Sequence, residues 1–586
     1  MMKLFSFAFF LLLRGSATGS SLNDTAYDYV VVGSGPGGGT LAASLAREGH
    51  SVFLIEAGGN MGNDPLQQIP GLADVNSEDP AMSWQFFVSH YQNETQARRD
   101  RYFTYRLSNG TLWYGIDAPE DATPLGIYYL RGATVGGSAI ANAMNVVLPP
   151  DSDWNHFAEV TGDESWGPEN MRSMFIELER NTYTPEGTLG HGFDGYISTN
   201  RNNISYVVDR PGVLRVVQNA ISQTEGIEAP DPEQVIELME RDLNRPDSNR
   251  YEIPGLYQIP LHVDENRRRS SPWNYITDTL ASKHEDGTQR YPLTLSTHSL
   301  ATRILMKNAE AGLRAYGVEF MVGEGLHEAD RRYDPTVEPQ VRTVRAKKEV
   351  IVSGGAFNTP QLLKLSGIGP LEELERFGIP VVVDLPAVGE FLQDNYEAGI
   401  NVRSNILWEN SPFAQCTPGS PETDPCLAQW EAGYGAYGEA AAPIFMLHRS
   451  NQSRNSDCDL IIFGAAGEDA DVDIAALSEG IEHLMSIMNV TGEPYRPFQV
   501  IDPPADRSLE QHIRDNTWSH HAAGSCRMGK TNLDSCVDSK FRVHGVQGLR
   551  VVDGSVFPRV PGGFPVGATY AASRKAFHDI VSNEGK

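Results

Sequence analysis

Residues 28–59 read DYVVVGSGPGGGTLAASLAREGHSVFLIEAGG, and this stretch decides the fold of the region around it. An apolar β-branched run at 29–32 predicts a strand, and it leads into the turn Gly33-x-Gly35-x-x-Gly38. The amphipathic segment that follows predicts a helix over 40–48, and a second apolar run predicts a strand over 51–55. This order of strand, glycine turn, helix and strand is typical of a dinucleotide-binding βαβ unit.

Each conspicuous residue of this unit has a physical role in holding a dinucleotide. Gly33 permits the tight turn, and Gly35 lets backbone N–H groups approach a pyrophosphate without an intervening Cβ. Gly38 allows the helix to pack against the strand, so that the positive end of its dipole faces the phosphates. Glu56 ends the second strand, where its carboxylate can accept hydrogen bonds from a ribose diol.

Composition favours a folded α/β protein that acts on small molecules. The chain has 586 residues, 40% of them hydrophobic, and it contains 56 glycines, which suits a protein with many turns. The net charge of −29 disfavours a nucleic-acid partner, because the phosphate backbone would be repelled.

The N-terminus predicts a secretory signal peptide over residues 1–20. One lysine precedes an apolar core at 4–13, and small residues follow at 17–19 as a cleavage site. This core is too short to span a bilayer, so no transmembrane anchor is predicted and a secreted or secretory-lumen location is expected. The alternative is an N-terminal core helix. The sequons that support glycosylation are at Asn23, Asn93, Asn109, Asn203, Asn451 and Asn489.

The five cysteines lie in the C-terminal third of the chain. Cys416 and Cys426 are expected to close a loop by a disulfide in an oxidising compartment. The odd number leaves at least one free thiol, and no cysteine spacing indicates a metal site, so none is predicted.

The strands and helices predicted after residue 125 include a C-terminal segment that is expected to join the dinucleotide-binding sheet. Residues 125–154 predict a strand, a Gly-Gly-Ser turn and a small-residue helix that either lies against a flat ligand or simply packs closely. Residues 292–306 and 316–321 predict strands of one meander. A strand at 548–553 and a closing helix at 568–582 bring the C-terminus back to the dinucleotide sheet.

The segment WSHHAAGSCRMG at 518–529 contains the candidate catalytic residues. A histidine beside Gly-Ser-Cys in a loop before a sheet strand suggests a general base near pH 7. A structural histidine pair that caps the loop is the other interpretation of these residues.

With these motifs the chain resembles the glucose–methanol–choline (GMC) family of FAD-dependent oxidoreductases, over about 28–580. The resemblance rests on DYVVVGSGPGG and LIEAGG in the opening stretch and on RGATVGGSAIAN (131–142), GAFNTPQLLKLSGIG (355–369), VGEFLQDN (388–395), HAAGSCRMG (521–529) and GLRVVDGSVFP (548–558).

The resemblance implies an α/β fold: a Rossmann-like FAD-binding domain with a discontinuous α+β substrate domain built on an antiparallel sheet. The expected FAD-binding domain comprises 26–75, 125–155, 210–395 and 541–584. The expected substrate domain comprises 76–124, 156–209 and 396–540.

Site residues follow from the resemblance position by position. His521 corresponds to the family's base, which takes the alcohol's hydroxyl proton as hydride passes to flavin N5. His520 is a secondary candidate that either orients its neighbour or is structural. The cofactor-binding positions are Gly33, Gly35, Gly38 and Glu56 for the ADP half, Thr134, Ser138 and Asn142 along the flavin, Ala301 at the adenine, and Asp553 and Gly554 near the pyrophosphate and ribityl chain.

Three departures from the family pattern concern the substrate end. Phe564 and Val566 stand where the family has a second His or Asn, although a fungal subgroup has a similar His-His pair and aromatic segment. Only residues 465–473 occupy a place where the family has roughly 40–50 residues, which suggests a shortened sheet. A truncated gene model, a splice variant and altered function all remain open. Asn395 replaces a frequent His.

The resulting hypothesis is a secreted FAD-dependent oxidase or dehydrogenase acting on a primary or secondary alcohol. Aromatic and secondary-metabolite alcohols are the suggested substrates, with oxygen, a quinone or another electron acceptor as partner. Two alternatives remain: a non-redox cyclase or dehydratase of secondary metabolism on the same scaffold, and a catalytically impaired FAD-binding homologue.

Overall fold

The computed structural model describes residues 26–582 except 311, 404–411, 419–421, 441–443, 465–473, 493–497 and 505. The predicted signal peptide at 1–20, the sequon at Asn23 and the segment 465–473 therefore lie outside the described residues.

The elements alternate between strands and helices along most of the described chain. The strands are β1 (Ala26–Val32), β2 (Val52–Ile55), β3 (Ser83–Val88), β4 (Phe103–Arg106), β5 (Leu112–Tyr114), β6 (Thr123–Gly132), β7 (Glu179–Asn181), β8 (Ile197–Thr199), β9 (Gly255–Tyr257), β10 (Leu293–Ser296), β11 (Ser299–Ala309), β12 (Gly312–Val322), β13 (Gln340–Val352), β14 (Ile368–Gly369), β15 (Val383–Asp384), β16 (Asn401–Arg403), β17 (Ile444–His448), β18 (Leu460–Gly464), β19 (Gln499–Asp502) and β20 (Leu549–Val551). The helices are α1 (Gly38–Arg47), α2 (Pro65–Gln68), α3 (Ala73–Ser77), α4 (Glu94–Ala97), α5 (Asp151–Thr161), α6 (Pro168–Ile176), α7 (Ser205–Val208), α8 (Pro211–Glu225), α9 (Pro232–Met239), α10 (Pro272–Ala281), α11 (Gly355–Leu365), α12 (Leu371–Arg376), α13 (Pro425–Glu431), α14 (Ile474–Val490), α15 (Leu509–Asn516) and α16 (Pro565–Val581).

A seven-stranded mixed sheet organises the dinucleotide-binding part. Its order is β10-β2-β1-β13-β12-β11, and β20 pairs with the C-terminal part of β13. Strands β10, β2, β1, β13 and β20 run parallel, whereas β11, β12 and β13 form antiparallel pairs. The carboxyl ends of β1, β2, β13 and β20 therefore meet at one edge, where such sheets bind ligands.

Apolar strands and small helix residues explain how this sheet is covered. The side chains of 30–31 and 351–352 are fully buried, as expected for strands with helices on both faces. Helix α1 is buried from Gly38 to Ala46 and packs against α10 and α16. The mixed α/β fold predicted from the sequence is confirmed.

The rest of the described chain adds smaller antiparallel sheets. They have the orders β3-β6-β4-β5, β18-β17-β9 and β16-β19. Strand β18 lies at the edge of its sheet, and residues 465–473 follow it directly. The domain boundaries given above stay a prediction.

Two local expectations are wrong. The small-residue helix after the Gly-Gly-Ser turn is only a 3₁₀ turn, Gly137–Ala139, and Met144 beyond it adopts a left-handed φ of +65°, which an α-helix does not accommodate. The apolar run at 292–306 is not one strand, because the chain bends at His298, where φ is +48°. Before the bend β10 pairs in parallel with β2, and after it β11 pairs antiparallel with β12.

The predicted disulfide is present, and the structure contains a second one that was not predicted. Cys416 and Cys426 form a disulfide, and a second disulfide joins Cys526 to Cys536, which the spacing alone did not indicate. Cys458 is the free thiol among the described residues, and it is buried.

Candidate active site

A cavity of about 500 Å³ opens at the carboxyl edge of the seven-stranded sheet. Most of the site residues predicted from the sequence line this cavity. Those in its wall are Gly33, Gly35, Glu56, Ser138, Asn142, Ala301, His520, His521, Asp553 and Gly554. Gly38 and Thr134 are outside this lining and support it from behind.

The first glycine turn is pressed against the ends of two strands. A Cβ added to Gly33, where φ is +96°, would lie 2.1 Å from the carbonyl oxygen of Ser353. A Cβ on Gly37 would lie 2.0 Å from the carbonyl oxygen of Val552, and one on Gly38 would lie 2.2 Å from that of Gly33. Gly33, Gly37 and Gly38 therefore have no room for a side chain, and the turn lies with the N-terminus of α1 at the cavity wall.

A second glycine turn packs directly against the first and also lines the cavity. A Cβ on Gly137 would lie 2.6 Å from the Cα of Gly35, and one on Gly132 would lie 2.3 Å from the carbonyl oxygen of Gly137. Thr134 is fully buried and donates to the carbonyl oxygen of Gly59 at 2.8 Å, which ties this turn to the chain after β2. Gly37 was not predicted as a site residue, whereas Gly137 falls within the turn 134–138 that was expected to lie along the flavin. The glycine runs in both motifs were the available signal.

Glu56 is buried in the cavity wall, 7% exposed. Its carboxylate accepts hydrogen bonds from the Ser34 hydroxyl, from Ser34 N at 3.1 Å and from Gly58 N at 2.8 Å. Burial raises the pKa of Glu56, and the hydrogen bonds from Ser34 and Gly58 oppose that rise. The carboxyl group is thus held in one orientation toward the cavity, as a ribose-binding group requires.

Asn142 and Asp553 are fixed by hydrogen bonds from neighbouring segments. The Asn142 side-chain oxygen accepts from the Arg269 guanidinium at 2.9 Å and from Met144 N at 3.1 Å. Asp553 accepts from Gly355 N at 2.8 Å and from the Thr359 hydroxyl at 2.6 Å. Asp553 therefore joins the start of α11 to the end of β20.

His521 lines the same cavity, with 14% of its side chain exposed. Its ring stands edge-on to Phe564 at 5.5 Å between centroids and 4.2 Å from the ring of His520. Burial, the neighbouring His520 and the charge of Arg131 hold the pKa of His521 well below its usual value. The imidazole is therefore neutral at pH 7 and can accept a proton.

His520 also lines the cavity, and its side chain is 43% exposed. Part of the ring faces the cavity, but desolvation by the surrounding protein, reinforced by the charge of Arg131, lowers the pKa of His520 to about 4. Arg131 donates from its guanidinium to the backbone carbonyl of His520 at 2.6 Å, which fixes this part of the loop.

A hydrogen-bonded group behind the loop was missed from the sequence. Asp394 accepts from His521 N at 2.7 Å, from the Ser519 hydroxyl at 2.6 Å and from the Tyr129 hydroxyl. Glu397 places a carboxylate oxygen 3.3 Å from Nδ1 of His521. The acids in VGEFLQDNYE were the only signal, and which of them face the loop depends on tertiary contacts.

The three positions that depart from the family pattern, Asn395, Phe564 and Val566, lie in the part of the structure around His521. Phe564 and Val566 line the cavity, and neither side chain can transfer a proton. Asn395 donates from its amide to the carbonyl oxygen of Gly563 at 2.9 Å, and its amide nitrogen lies 3.4 Å from Nδ1 of His521.

These residues fit FAD on structural grounds. The two glycine turns pack so closely that Gly33, Gly37 and Gly137 cannot carry a Cβ, and with the N-terminus of α1 and an oriented carboxylate they suit a pyrophosphate and a ribose. The first turn, Glu56 and Ala301 would hold the ADP half, and Ser138, Asn142, Asp553 and Gly554 would hold the remainder.

Comparison with known proteins agrees with this fit. Two family profiles, both described as GMC oxidoreductase, match residues 27–397 and 450–573. Oxidoreductase cicC from Emericella nidulans is 28% identical over 97% of this chain and 96% of its own length. An oxygen-dependent choline dehydrogenase from Pseudomonas fluorescens is also 28% identical, over 92% of this chain and 90% of its own length. A fungal aryl-alcohol oxidase has a similar fold, with a TM-score of 0.68 and 18% identity over 96% of this chain and all of its own. The chain therefore belongs to the GMC oxidoreductase family and is an FAD-dependent oxidoreductase of that family, acting on CH–OH donors.

Proposed function

We propose that this protein oxidises a primary or secondary alcohol with an aromatic or similarly apolar substituent, of the kind found in secondary metabolism, and that His521 is the base. The observation that carries the proposal is the position of a neutral, mostly buried imidazole in the same cavity as the two glycine turns.

The base acts on the substrate hydroxyl. His521 accepts the hydroxyl proton as the carbinol carbon loses hydride, and its depressed pKa keeps the ring unprotonated before the reaction. Bound FAD would supply the hydride acceptor, with oxygen, a quinone or another acceptor as the final electron acceptor. The protein contributes orientation, exclusion of water and proton transfer.

The surroundings of His521 favour an apolar substituent. Phe564 lies beside the base. The ring centroids of Phe445 and Phe463 are 6.2 and 6.5 Å from that of Phe564. Trp518 lines the same cavity. An aryl or alkyl group on the carbinol carbon would bury apolar surface here, at about 25 cal/mol per Å².

Anaerobic titration with a panel of alcohols tests the proposal. We expect aryl and other apolar alcohols to bleach the flavin absorbance, and choline to do so more slowly or not at all. A flavin that stays oxidised with every alcohol would overturn it. Hydrogen peroxide release in air would then separate an oxidase from a dehydrogenase.

A non-redox cyclase or dehydratase is the second candidate. Phe564 and Val566 remove the polar partner that shares the substrate hydroxyl in the family pattern, and this leaves the histidine pair to do acid–base chemistry. Product formation while the flavin remains oxidised is the outcome that would support it.

We also propose secretion through a signal peptide at 1–20, with glycosylation at the sequons. The two disulfides suit an oxidising compartment, and Asn93, Asn109, Asn203, Asn451 and Asn489 are exposed. Within the described residues, no helix has both the length and the apolar character needed to cross a membrane. Mass spectrometry of the protein from culture medium should find a mature N-terminus near residue 21 and glycans on sequon peptides. An intact Met1 in intracellular protein would contradict secretion.

A further inference from the structure

Three side chains that can bind a metal, those of His520, His521 and Glu397, come together beside the candidate active site. Oε1 of Glu397 lies 3.3 Å from Nδ1 of His521 and 3.4 Å from Nδ1 of His520. One ligand atom from each of the three residues lies within 4.8 Å of the other two. Two imidazole nitrogens and a carboxylate oxygen therefore face a common point.

Nδ1 of His520 is a buried polar atom without a hydrogen bond. Among the described residues, no donor or acceptor satisfies it, although part of the His520 side chain is exposed. A buried ring nitrogen of this kind costs free energy unless a hydrogen-bond partner or an ion satisfies it. A cation between this imidazole and the Glu397 carboxylate would do so.

Nδ1 of His521 also has a lone pair that a metal could use. The Asn395 amide nitrogen lies 3.4 Å from it and is a hydrogen-bond donor, so Nδ1 is the unprotonated ring nitrogen. This contact is long, and the same amide donates to the carbonyl oxygen of Gly563 at 2.9 Å, so it keeps a partner if Nδ1 binds a metal. Both imidazoles have lowered pKa values, and neither has to lose a proton to bind one.

The donor set and its spacing suit Zn²⁺. Imidazole nitrogen and carboxylate oxygen bind Zn²⁺ at about 2.0–2.2 Å, so neighbouring ligand atoms of a tetrahedral site lie about 3.3–3.6 Å apart. The separations of 3.3 and 3.4 Å from Glu397 to the two rings fall in this range. Ca²⁺ and Mg²⁺ prefer oxygen ligands, so the two imidazoles disfavour them.

The backbone brings the glutamate to the histidine pair. Glu397 N donates to the carbonyl oxygen of Trp518 at 3.0 Å, and Trp518 N donates to that of Glu397 at 3.2 Å. These hydrogen bonds join two segments that are far apart in the chain, which is why no metal site was predicted from the sequence. The partly exposed ring of His520 gives an ion a path to the three ligand atoms.

We propose that Nδ1 of His520, Nδ1 of His521 and Oε1 of Glu397 bind Zn²⁺, and that the bound ion inhibits alcohol oxidation. Metal binding is independent of the function proposed above, whereas the inhibition rests on it. A metal on Nδ1 leaves the hydrogen on Nε2, so neither ring nitrogen of His521 can then accept the hydroxyl proton.

Zinc titration of the FAD-loaded enzyme, first treated with a chelator, tests the site. We expect calorimetry and elemental analysis to give one Zn²⁺ per chain. His520→Ala and Glu397→Gln should each weaken binding by at least about tenfold, because losing a ligand costs no less than losing an outer-shell partner. FAD content and the melting temperature show that each variant is folded, and the two substitutions lie in different segments.

Two control variants separate this site from other zinc ligands. Glu390→Gln removes an exposed carboxylate from the same segment as Glu397. His448→Ala removes one ring of another close histidine pair, whose partner ring, that of His483, lies 4.4 Å away between centroids. Both variants should bind Zn²⁺ as the wild type does. A wild type that binds no zinc, or zinc lost in His448→Ala and kept in Glu397→Gln, would overturn the proposal.

Co²⁺ in place of Zn²⁺ reports the coordination without any substrate. The difference spectrum against cobalt-free enzyme should show the visible bands of tetrahedral cobalt, and His520→Ala should lose them. Octahedral bands that both ligand variants retain would contradict the assignment.

The inhibition is measured by anaerobic flavin reduction with an alcohol. One equivalent of Zn²⁺ should slow the reaction by at least about 10², because the base is blocked, and a chelator should restore the rate. Zinc that binds to these three residues without slowing the reaction would overturn the inhibitory role. If no alcohol reduces the flavin while zinc binding behaves as expected, the proposed function fails and the metal site stands.

Discussion

At the scale of single residues, His521 is distinguished from the other histidines by its surroundings. It faces the cavity, its ring contacts Phe564, and its pKa is held well below the usual value by burial, His520 and Arg131. The sequence predicted this residue from its motif. It did not indicate Glu397, because that contact forms only when two distant segments pair.

His521→Ala should slow flavin reduction by about 10²–10⁴ while FAD stays bound, since only the proton acceptor is removed. Rapid mixing with an aryl alcohol under anaerobic conditions measures the rate. His284→Ala, at an exposed position, is the control. An unchanged rate in His521→Ala would remove His521 from its role.

Gly33→Ala should abolish most FAD binding, because its Cβ would lie 2.1 Å from the Ser353 carbonyl oxygen. Gly49→Ala is a matched control: its φ of +99° is close to the +96° of Gly33, but a Cβ there meets nothing within 4 Å. The ratio of flavin to protein absorbance measures the effect. An FAD content in Gly33→Ala as high as in the wild type would contradict the prediction. An equally large loss of FAD in both variants would mean that strain at the positive φ, and not the close approach, causes the effect at Gly33.

At the scale of elements, the histidine loop depends on the segments packed behind it. The Cys526–Cys536 disulfide follows His521 closely, and Cys526 N donates to the carbonyl oxygen of Ser555 at 2.9 Å. This links the loop to the turn that carries Asp553.

Replacing Cys526 and Cys536 by serine should lower the free energy of unfolding by about 2–4 kcal/mol and also slow flavin reduction, because the loop loses its anchor. Replacing Cys416 and Cys426 should lower the melting temperature with a smaller effect on the rate. Thermal melts and rapid mixing measure both quantities. Equal rate losses in the two double variants would contradict a specific role for the second disulfide.

Some secondary-structure elements could be predicted from the sequence alone, and others could not. The first βαβ unit was predicted because its apolar runs and glycine spacing are local signals. The small-residue segment after Gly137 was not, because its conformation is set by contact with Gly35. Similarly, the apolar run at 292–306 did not reveal the bend at His298 that divides it between two strand directions.

At the scale of the whole molecule, a buried charge network tethers β7 to later segments. His191 Nδ1 lies 3.0 Å from Glu179 and its Nε2 lies 2.9 Å from Asp242. Burial alone would lower the pKa of His191, but hydrogen bonds to Asp242 and Glu179 outweigh it and raise the pKa to about 9.

The stabilisation from His191 should be complete below about pH 6.5 and lost as the pH rises through about 9, because the folded state holds the proton more tightly than the unfolded state. Melting temperatures of wild type and His191→Gln should therefore differ most below pH 6.5 and converge above pH 9. A difference that is constant with pH would contradict the assignment.

The residues that would hold FAD and the neutral base His521 line one cavity, so hydride transfer from an alcohol is the reaction to test first. The most direct test is the anaerobic rate of flavin reduction by a benzylic alcohol and by the same alcohol deuterated at the carbinol carbon. We expect full bleaching of the flavin with a primary isotope effect, and loss of the reaction in His521→Ala. Conversion of the substrate while the flavin remains oxidised would contradict it.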